Sequence, residues 1–169
     1  MNTKKVLIYP NSKLNEVATP ITSVKDAEEI EQEMKETLNN YPTALGLAAN
    51  QIAVTKRIIL VTIDNQWVTM VNPDIMQKEG IQYLTEGCLS VPKFFATVKR
   101  FSDITVKFQK TDLKDFHTLS LTGIEASEIQ HEVDHLNGIE FVQRLSKIKH
   151  RDFIKKYKRI QKHMKKGLI

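Results

Sequence analysis

The sequence predicts an α+β fold, with antiparallel or mixed sheets around a central helix, one helix ahead of the sheets and one at the C-terminus. Three observations carry that prediction. Apolar residues recur at steps of three and four near both ends of the chain, the mark of amphipathic helices. Between them lie several short runs rich in β-branched and aromatic residues, without the regular strand–helix alternation of a parallel sheet. A third helical segment follows the last of these runs and holds two histidines four residues apart, His131 and His135.

Each element has its own signal. In "SVKDAEEIEQEMKETLNN", Val24, Ala27, Ile30, Met34 and Leu38 share one helical face; Ser23 can cap the start, and Asn39-Asn40-Tyr41-Pro42 stops the helix. "TALGLAANQIAV" is small and apolar. "RIILVTI" and "WVTMVNP" read as strands separated by Asp64-Asn65-Gln66, and "ITVKFQ" and "HTLSL" as strands joined by the turn-forming "KTDLKD". Pro92 is expected to stop local pairing after "TEGCLSV". Gly123 opens the way to the histidine helix, and Asn137-Gly138 ends it. In the tail, Phe153, Ile154, Tyr157, Ile160, Met164 and Leu168 form one apolar stripe with lysines around the rest.

A chain of 169 residues with 41% apolar and 27% charged residues fits one globular domain and excludes a disordered or fibrous chain. The net charge of +5 is uneven: from Arg144 onward eleven Lys/Arg face one acid, whereas residues 1–143 hold fourteen Lys/Arg against nineteen Asp/Glu. No apolar run approaches the length that spans a bilayer, and "VLIY" is too short for a signal-peptide core. Cys88 is the single cysteine, so no internal disulfide can form and nothing points to an oxidising compartment. A cytoplasmic protein is expected, with no membrane and no DNA as partner.

The chemistry concentrates in "HEVDH", residues 131–135. Positions i and i+4 of a helix lie on one face, so His131 and His135 can present two imidazole nitrogens to one metal, and Glu132 beside them can act as general base and then general acid. The bland alternative is a surface helix with two solvated histidines. A tetrahedral catalytic site takes a third protein ligand. Six residues after His135 the extended metzincin pattern would place a histidine, but Phe141 stands there. Glu140 is too close in sequence to come from another helix, and only Asp152 follows, so the ligand is sought upstream. His117 and Cys88 are the candidates. His117 reads as an exposed loop histidine; Cys88 beside two histidines offers thiolate, a strong ligand for divalent transition metals. A cysteine-nucleophile hydrolase would use Cys88 and His131 but leave Glu132 and His135 without roles.

Three segments in order, "ALGLAANQ" at 44–51, "EGCLS" at 86–90 and "HEVDH" at 131–135, resemble the motifs of peptide deformylases, which remove the N-formyl group from the initiator methionine of nascent chains. The resemblance covers nearly the whole chain, with residues 1–146 as the catalytic domain and 147–169 as a basic C-terminal helix of that same domain. It implies that Cys88, His131 and His135 hold one divalent metal ion, ferrous iron natively, with zinc, nickel or cobalt as substitutes. It implies that Glu132 shuttles the proton while the Gln51 side-chain amide and the Leu89 N–H donate to the oxyanion. Leu45 and Gly46 would border the substrate backbone, with Glu86, Gly87, Ile124, Ser127 and Glu128 completing the substrate side. Glu86 and Arg100 would pair as support near the site, with Asp134 behind the ligands.

The chain departs from that pattern in four places. Ala44 replaces a glycine, and Phe95 stands where many members have an arginine that holds the substrate backbone. Ser127 and Glu128 are polar where the pocket for the methionine side chain is usually apolar, which leaves open a deacylase with a different side-chain preference. The non-enzyme alternative is a metal-binding, ribosome-associated homologue, although intact Gln51 and Glu132 argue against lost hydrolysis. The N-formylated nascent peptide is the expected partner. The basic tail suits ribosomal RNA, as the resemblance implies; an anionic membrane surface, or simple docking on the body with solvated lysines, are its other readings.

Overall fold

The computed structural model describes residues 4–166, so Leu168 of the expected tail stripe lies outside the described residues. Helix α1 (Val24–Leu38) precedes seven strands, β1 (Gly46–Ala48), β2 (Ile58–Ile63), β3 (Gln66–Glu79), β4 (Gln82–Cys88), β5 (Val91–Arg100), β6 (Asp103–Gln109) and β7 (Phe116–Thr122). Helices α2 (Gly123–Leu136) and α3 (Lys147–Lys165) follow. The strands form a five-stranded sheet in the order β1-β2-β3-β6-β7 and a separate β4–β5 hairpin, and every strand pair is antiparallel. The result is a mixed α+β fold with helices flanking sheets.

Burial on both faces explains why β2 is almost continuously apolar. Ile59, Val61 and Ile63 pack with Ala126, Ile129, Val133 and Leu136 of α2, whereas Ile58 and Leu60 pack with Ala27, Ile30, Met34 and Leu38 of α1. Alternate residues of one strand thus serve two cores, one on each side of the sheet. Asp64 and Asn65 both take positive φ and turn β2 back into β3. Strand β3 runs well beyond Pro73, where the sequence pattern ends it. Asn72, with φ of 51°, sits at a register break between Val71 and Asp74, and its side chain accepts from the Ile21 N–H at 2.8 Å and donates to the Ile21 carbonyl at 2.9 Å. This bulge absorbs the proline and lets pairing resume.

The β4–β5 hairpin corrects the sequence reading. Pro92 does not stop local pairing: Cys88 pairs with Val91, and Pro92 is the second residue of β5. Proline is tolerated there because the hairpin has only two strands, and so two free edges. A register break between Glu86 and Cys88 puts Gly87 at a bulge.

Helix α2 packs against the large sheet. It ends at Gly138, which takes φ of 71° and donates its N–H to the His135 carbonyl, while Ile139 N–H reaches back to Asp134. A side chain at Gly138 would collide with the Asn15 backbone, so glycine is required twice over. Helix α3 docks by its apolar stripe: Phe153 and Tyr157 are buried with Val91, Val98, Phe141 and Val142, and Ile154 and Ile160 pack at the edge. Tyr9, Phe94 and Phe153 meet edge to face, with centroids 5.4 and 4.7 Å apart. Among the described residues no helix is long and apolar enough to cross a membrane.

Candidate metal centre

Helix α2 and the β4–β5 hairpin meet at one cluster. His135 Nε2 lies 3.2 Å from both Cys88 Sγ and His131 Nε2, and the three donor atoms fall within 4.8 Å of one another. His117 is elsewhere, opposite Phe108 on β7, which leaves Cys88 as the upstream partner of the two histidines. A tetrahedral ion with metal–nitrogen bonds of about 2.1 Å and a metal–sulfur bond of about 2.3 Å would separate its donors by about 3.4–3.6 Å. The observed spacing therefore fits a single divalent cation after small adjustments. The donor chemistry fits as well, because thiolate and two imidazoles bring lone pairs together that only a shared cation or proton can reconcile. This is a metal-binding site built of Cys88, His131 and His135.

The ligands are supported from behind. His131 Nδ1 donates to Glu86 Oε2 at 2.9 Å, which leaves Nε2 free to point at Cys88. Glu86 also accepts from Arg100 Nε at 2.7 Å, Arg100 Nη2 at 2.9 Å and Ser127 Oγ at 3.1 Å. Burial alone would raise the Glu86 pKa, but the Arg100 and His131 bonds outweigh it and hold it at about 2. Arg100 uses its remaining nitrogen on Asp134 of α2, and Arg144 pairs with the same carboxylate. Four charges of alternating sign, Glu86, Arg100, Asp134 and Arg144, thus run from the hairpin across α2 to the turn beyond it.

Gln51 sits in a short 3-10 turn, Ala49–Ile52. Its Oε1 accepts from the Ala48 N–H at 2.8 Å, which fixes the amide so that Nε2 faces Cys88 Sγ at 3.3 Å and Ser90 Oγ at 3.2 Å. Leu89 follows Cys88 in the hairpin turn. Glu132 is buried on α2, and one of its oxygens, Oε2, has no hydrogen-bond partner among the described residues. Burial pushes its carboxyl up to about 8 against the opposing pull of His131 and His135. A Cβ at Gly46 would lie 2.6 Å from Glu132 Oε1, so only glycine lets β1 pass the carboxylate so closely.

The remaining sites of the sequence reading spread around this centre. Leu45 and Ile124 are exposed, and Phe95 covers Gly87 so tightly that a Cβ there would overlap its ring. Ser127 is buried with its hydroxyl on Glu86, while Glu128 is half-buried with its pKa raised by burial. Ala44 is not among the residues with positive φ, so the missing glycine costs nothing there. Ser90 and Asn50 lie within the quoted motifs, but the sequence reading gives them no role; Ser90 accepts from the Gln51 amide, and Asn50 donates its amide to the His135 carbonyl. Their partners are far away in sequence, so spacing alone does not reveal what they bond to.

The family model described as polypeptide deformylase matches residues 3–151. The chain belongs to this family. A peptide deformylase of Nautilia profundicola is 36% identical over 172 residues, spanning 95% of this chain and 97% of its own. Among solved structures, the peptide deformylase of Thermus thermophilus superposes with a TM-score of 0.87 at 30% identity, covering 97% of this chain and 98% of its own. A Met-Ala-Ser-bound class I type b peptide deformylase from Acinetobacter baumannii superposes with a TM-score of 0.79 at 29% identity, over 85% of this chain and 98% of its own.

The approach of Gly46 to Glu132 makes a prediction for deformylase activity. Gly46→Ala must push the carboxylate aside by roughly an ångström and should cost about 100-fold in kcat/KM. Metal content and thermal stability should stay near wild type, and steady-state kinetics beside metal analysis checks both.

Proposed function

We propose that this chain is a metal-dependent hydrolase that removes the N-formyl group from the N-terminal formyl-methionine of nascent polypeptides, giving formate and a free amine. The observation that carries the reading is the convergence of Cys88, His131 and His135 beside a buried Glu132 and an oriented Gln51 amide. A divalent metal held by those three ligands supplies a Lewis acid and makes water nucleophilic near neutral pH. Ferrous iron is our assignment for the native ion, and the N₂S donor set accepts zinc, nickel or cobalt in its place.

The chain's own residues divide the rest of the work. Glu132 takes a proton from the attacking water and delivers it to the departing amine nitrogen, a role that its burial next to the ligand His131 and its unpartnered Oε2 support. Gln51 Nε2 and the Leu89 N–H donate to the formyl oxygen as it gains negative charge. Strand β1 is an edge strand of the large sheet, and its open side can receive the peptide backbone beside Leu45 and Gly46 as an added strand. Gly87 and Ile124 border the peptide. Glu86 and Ser127 act one layer back, through His131.

A second reading concerns the substrate side chain. Glu128 is half-buried one turn before His131, and a pocket that includes it would favour something more polar than methionine. The cellular setting is the cytoplasm, where formylated chains emerge. There the exposed Lys155, Lys158 and Lys162 of α3 face outward to ribosomal RNA while its apolar stripe is occupied by the body.

Formate release from formyl-Met-Ala-Ser by the metal-loaded protein should be abolished by Glu132→Ala with the metal still bound. A fully metallated wild type that releases no formate would defeat the deformylase reading. In the same assay, formyl-Lys and formyl-Gln peptides should fall far behind formyl-Met; if they do not, Glu128→Leu should restore methionine. Because Phe153 and Tyr157 are core residues, truncating α3 is a poor test of ribosome contact. Lys155→Glu, Lys158→Glu and Lys162→Glu together should instead reduce co-pelleting with ribosomes at low salt, and unchanged pelleting would remove that partner.

A further inference from the structure

His135, the second histidine ligand, also has a carboxylate behind it. Glu140 Oε1 lies 3.3 Å from His135 Nδ1, and both residues are fully buried. Glu140 stands just before the 3-10 turn Phe141–Arg144, brought back toward α2 by the reversal at Gly138. Its neighbours in sequence and space are apolar: Phe141 and Val142 belong to the core that also holds Phe153 and Tyr157.

A carboxylate in such a place demands an explanation. Neither Glu140 oxygen has a hydrogen-bond partner of good geometry among the described residues, nor does His135 Nδ1 or the buried Tyr157 hydroxyl. His135 is the only cationic partner within 4 Å of the carboxylate among those residues. The charge is felt across the pocket: burial and then Glu140 raise the pKa of Tyr9, and burial, Cys88 and Glu140 together bring Tyr157 up to about 12. Burying an uncompensated carboxylate is costly, and an apolar side chain would suit this core better on packing grounds alone. The acceptor is therefore placed for what it does to the imidazole.

We propose that Glu140 is a positioning residue for the metal centre, accepting the Nδ1 proton of His135 and so fixing the tautomer and ring orientation in which Nε2 faces Cys88 and His131. The inference rests on the reading of Cys88, His131 and His135 as metal ligands. With Glu86 behind His131 and Glu140 behind His135, each imidazole has its own carboxylate. The two arrive by different routes, one from the hairpin and one from the chain just beyond α2. Phe153 and Tyr157 of α3 pack with Phe141 and Val142, the residues that follow Glu140, so the tail helix closes over the segment that carries this acceptor.

Cobalt(II) binding tests this without relying on turnover. The full-length protein is titrated with cobalt against a competing chelator, and the thiolate-to-cobalt absorption band is recorded for wild type, Glu140→Leu and Glu140→Gln, each shown to be folded by circular dichroism. Glu140→Leu should bind cobalt about 10- to 100-fold more weakly with a perturbed band. Glu140→Gln keeps an acceptor but loses the charge, and should weaken binding by a smaller factor; if leucine is not tolerated, glutamine decides alone. A merely structural Glu140 would alter thermal stability while leaving affinity and band at wild-type values, and that result overturns the inference. A wild type that takes up no cobalt would instead remove the metal-ligand reading, and this inference with it.

Discussion

The Arg100 guanidinium is the cross-link on which the site depends. It sits at the end of β5, is buried, and divides its N–H groups between Glu86 on β4 and Asp134 on α2. Among the described residues the β4–β5 hairpin does not belong to the large sheet, so no backbone ladder fixes its distance from α2. What holds it there is this ion cluster, the Gln82 amide on the Gly123 carbonyl, the Gln130 amide on the Phe101 backbone, and the packing of Phe94 and Val98 against Phe141 and Phe153. Cys88 is carried on that hairpin, and so the place of its thiol beside the two histidines depends on these attachments. The energetics are unforgiving: charges taken out of water are tolerated when every one is paired, and removing a single partner costs about 3–5 kcal/mol.

The same cluster carries the chemistry one step further. Glu86 is both the anchor for Arg100 and the acceptor for His131 Nδ1, so the group that docks the hairpin also selects the imidazole tautomer. Fold and metal centre thus share residues. On the opposite side of the ligands, β1 approaches Glu132 at Gly46, where the absence of a side chain lets an edge strand lie against the proposed proton carrier. In the proposed mechanism, substrate binding and proton transfer meet at that contact.

How much of this can be read from the sequence follows the range of the interactions. Helix α1, strand β2 and the two histidines on one face of α2 are local patterns, and the structure has them where the periodicity puts them. Cys88 comes within reach through the failure of every downstream ligand. The β4–β5 hairpin is hidden because Gly87 and Pro92 interrupt its alternation, and neither the bulge at Gly87 nor the free edge that tolerates Pro92 leaves a local signature. Ser127 illustrates a different gap. Helical spacing places it on the ligand face, but its hydroxyl is taken by Glu86, 41 residues away, which no periodicity reveals. Glu140 enters the sequence reading only as a rejected ligand, whereas its carboxylate lies behind one.

The most direct test of the account is cobalt affinity in Arg100→Met, measured together with formate release at a temperature where the variant stays folded. If the guanidinium positions the hairpin against α2, both affinity and turnover fall by at least about tenfold, the lower end of what losing an outer partner of a metal ligand costs. A folded Arg100→Met that binds cobalt and releases formate as the wild type does would show that Cys88 reaches the histidines without this cross-link, and would contradict the account.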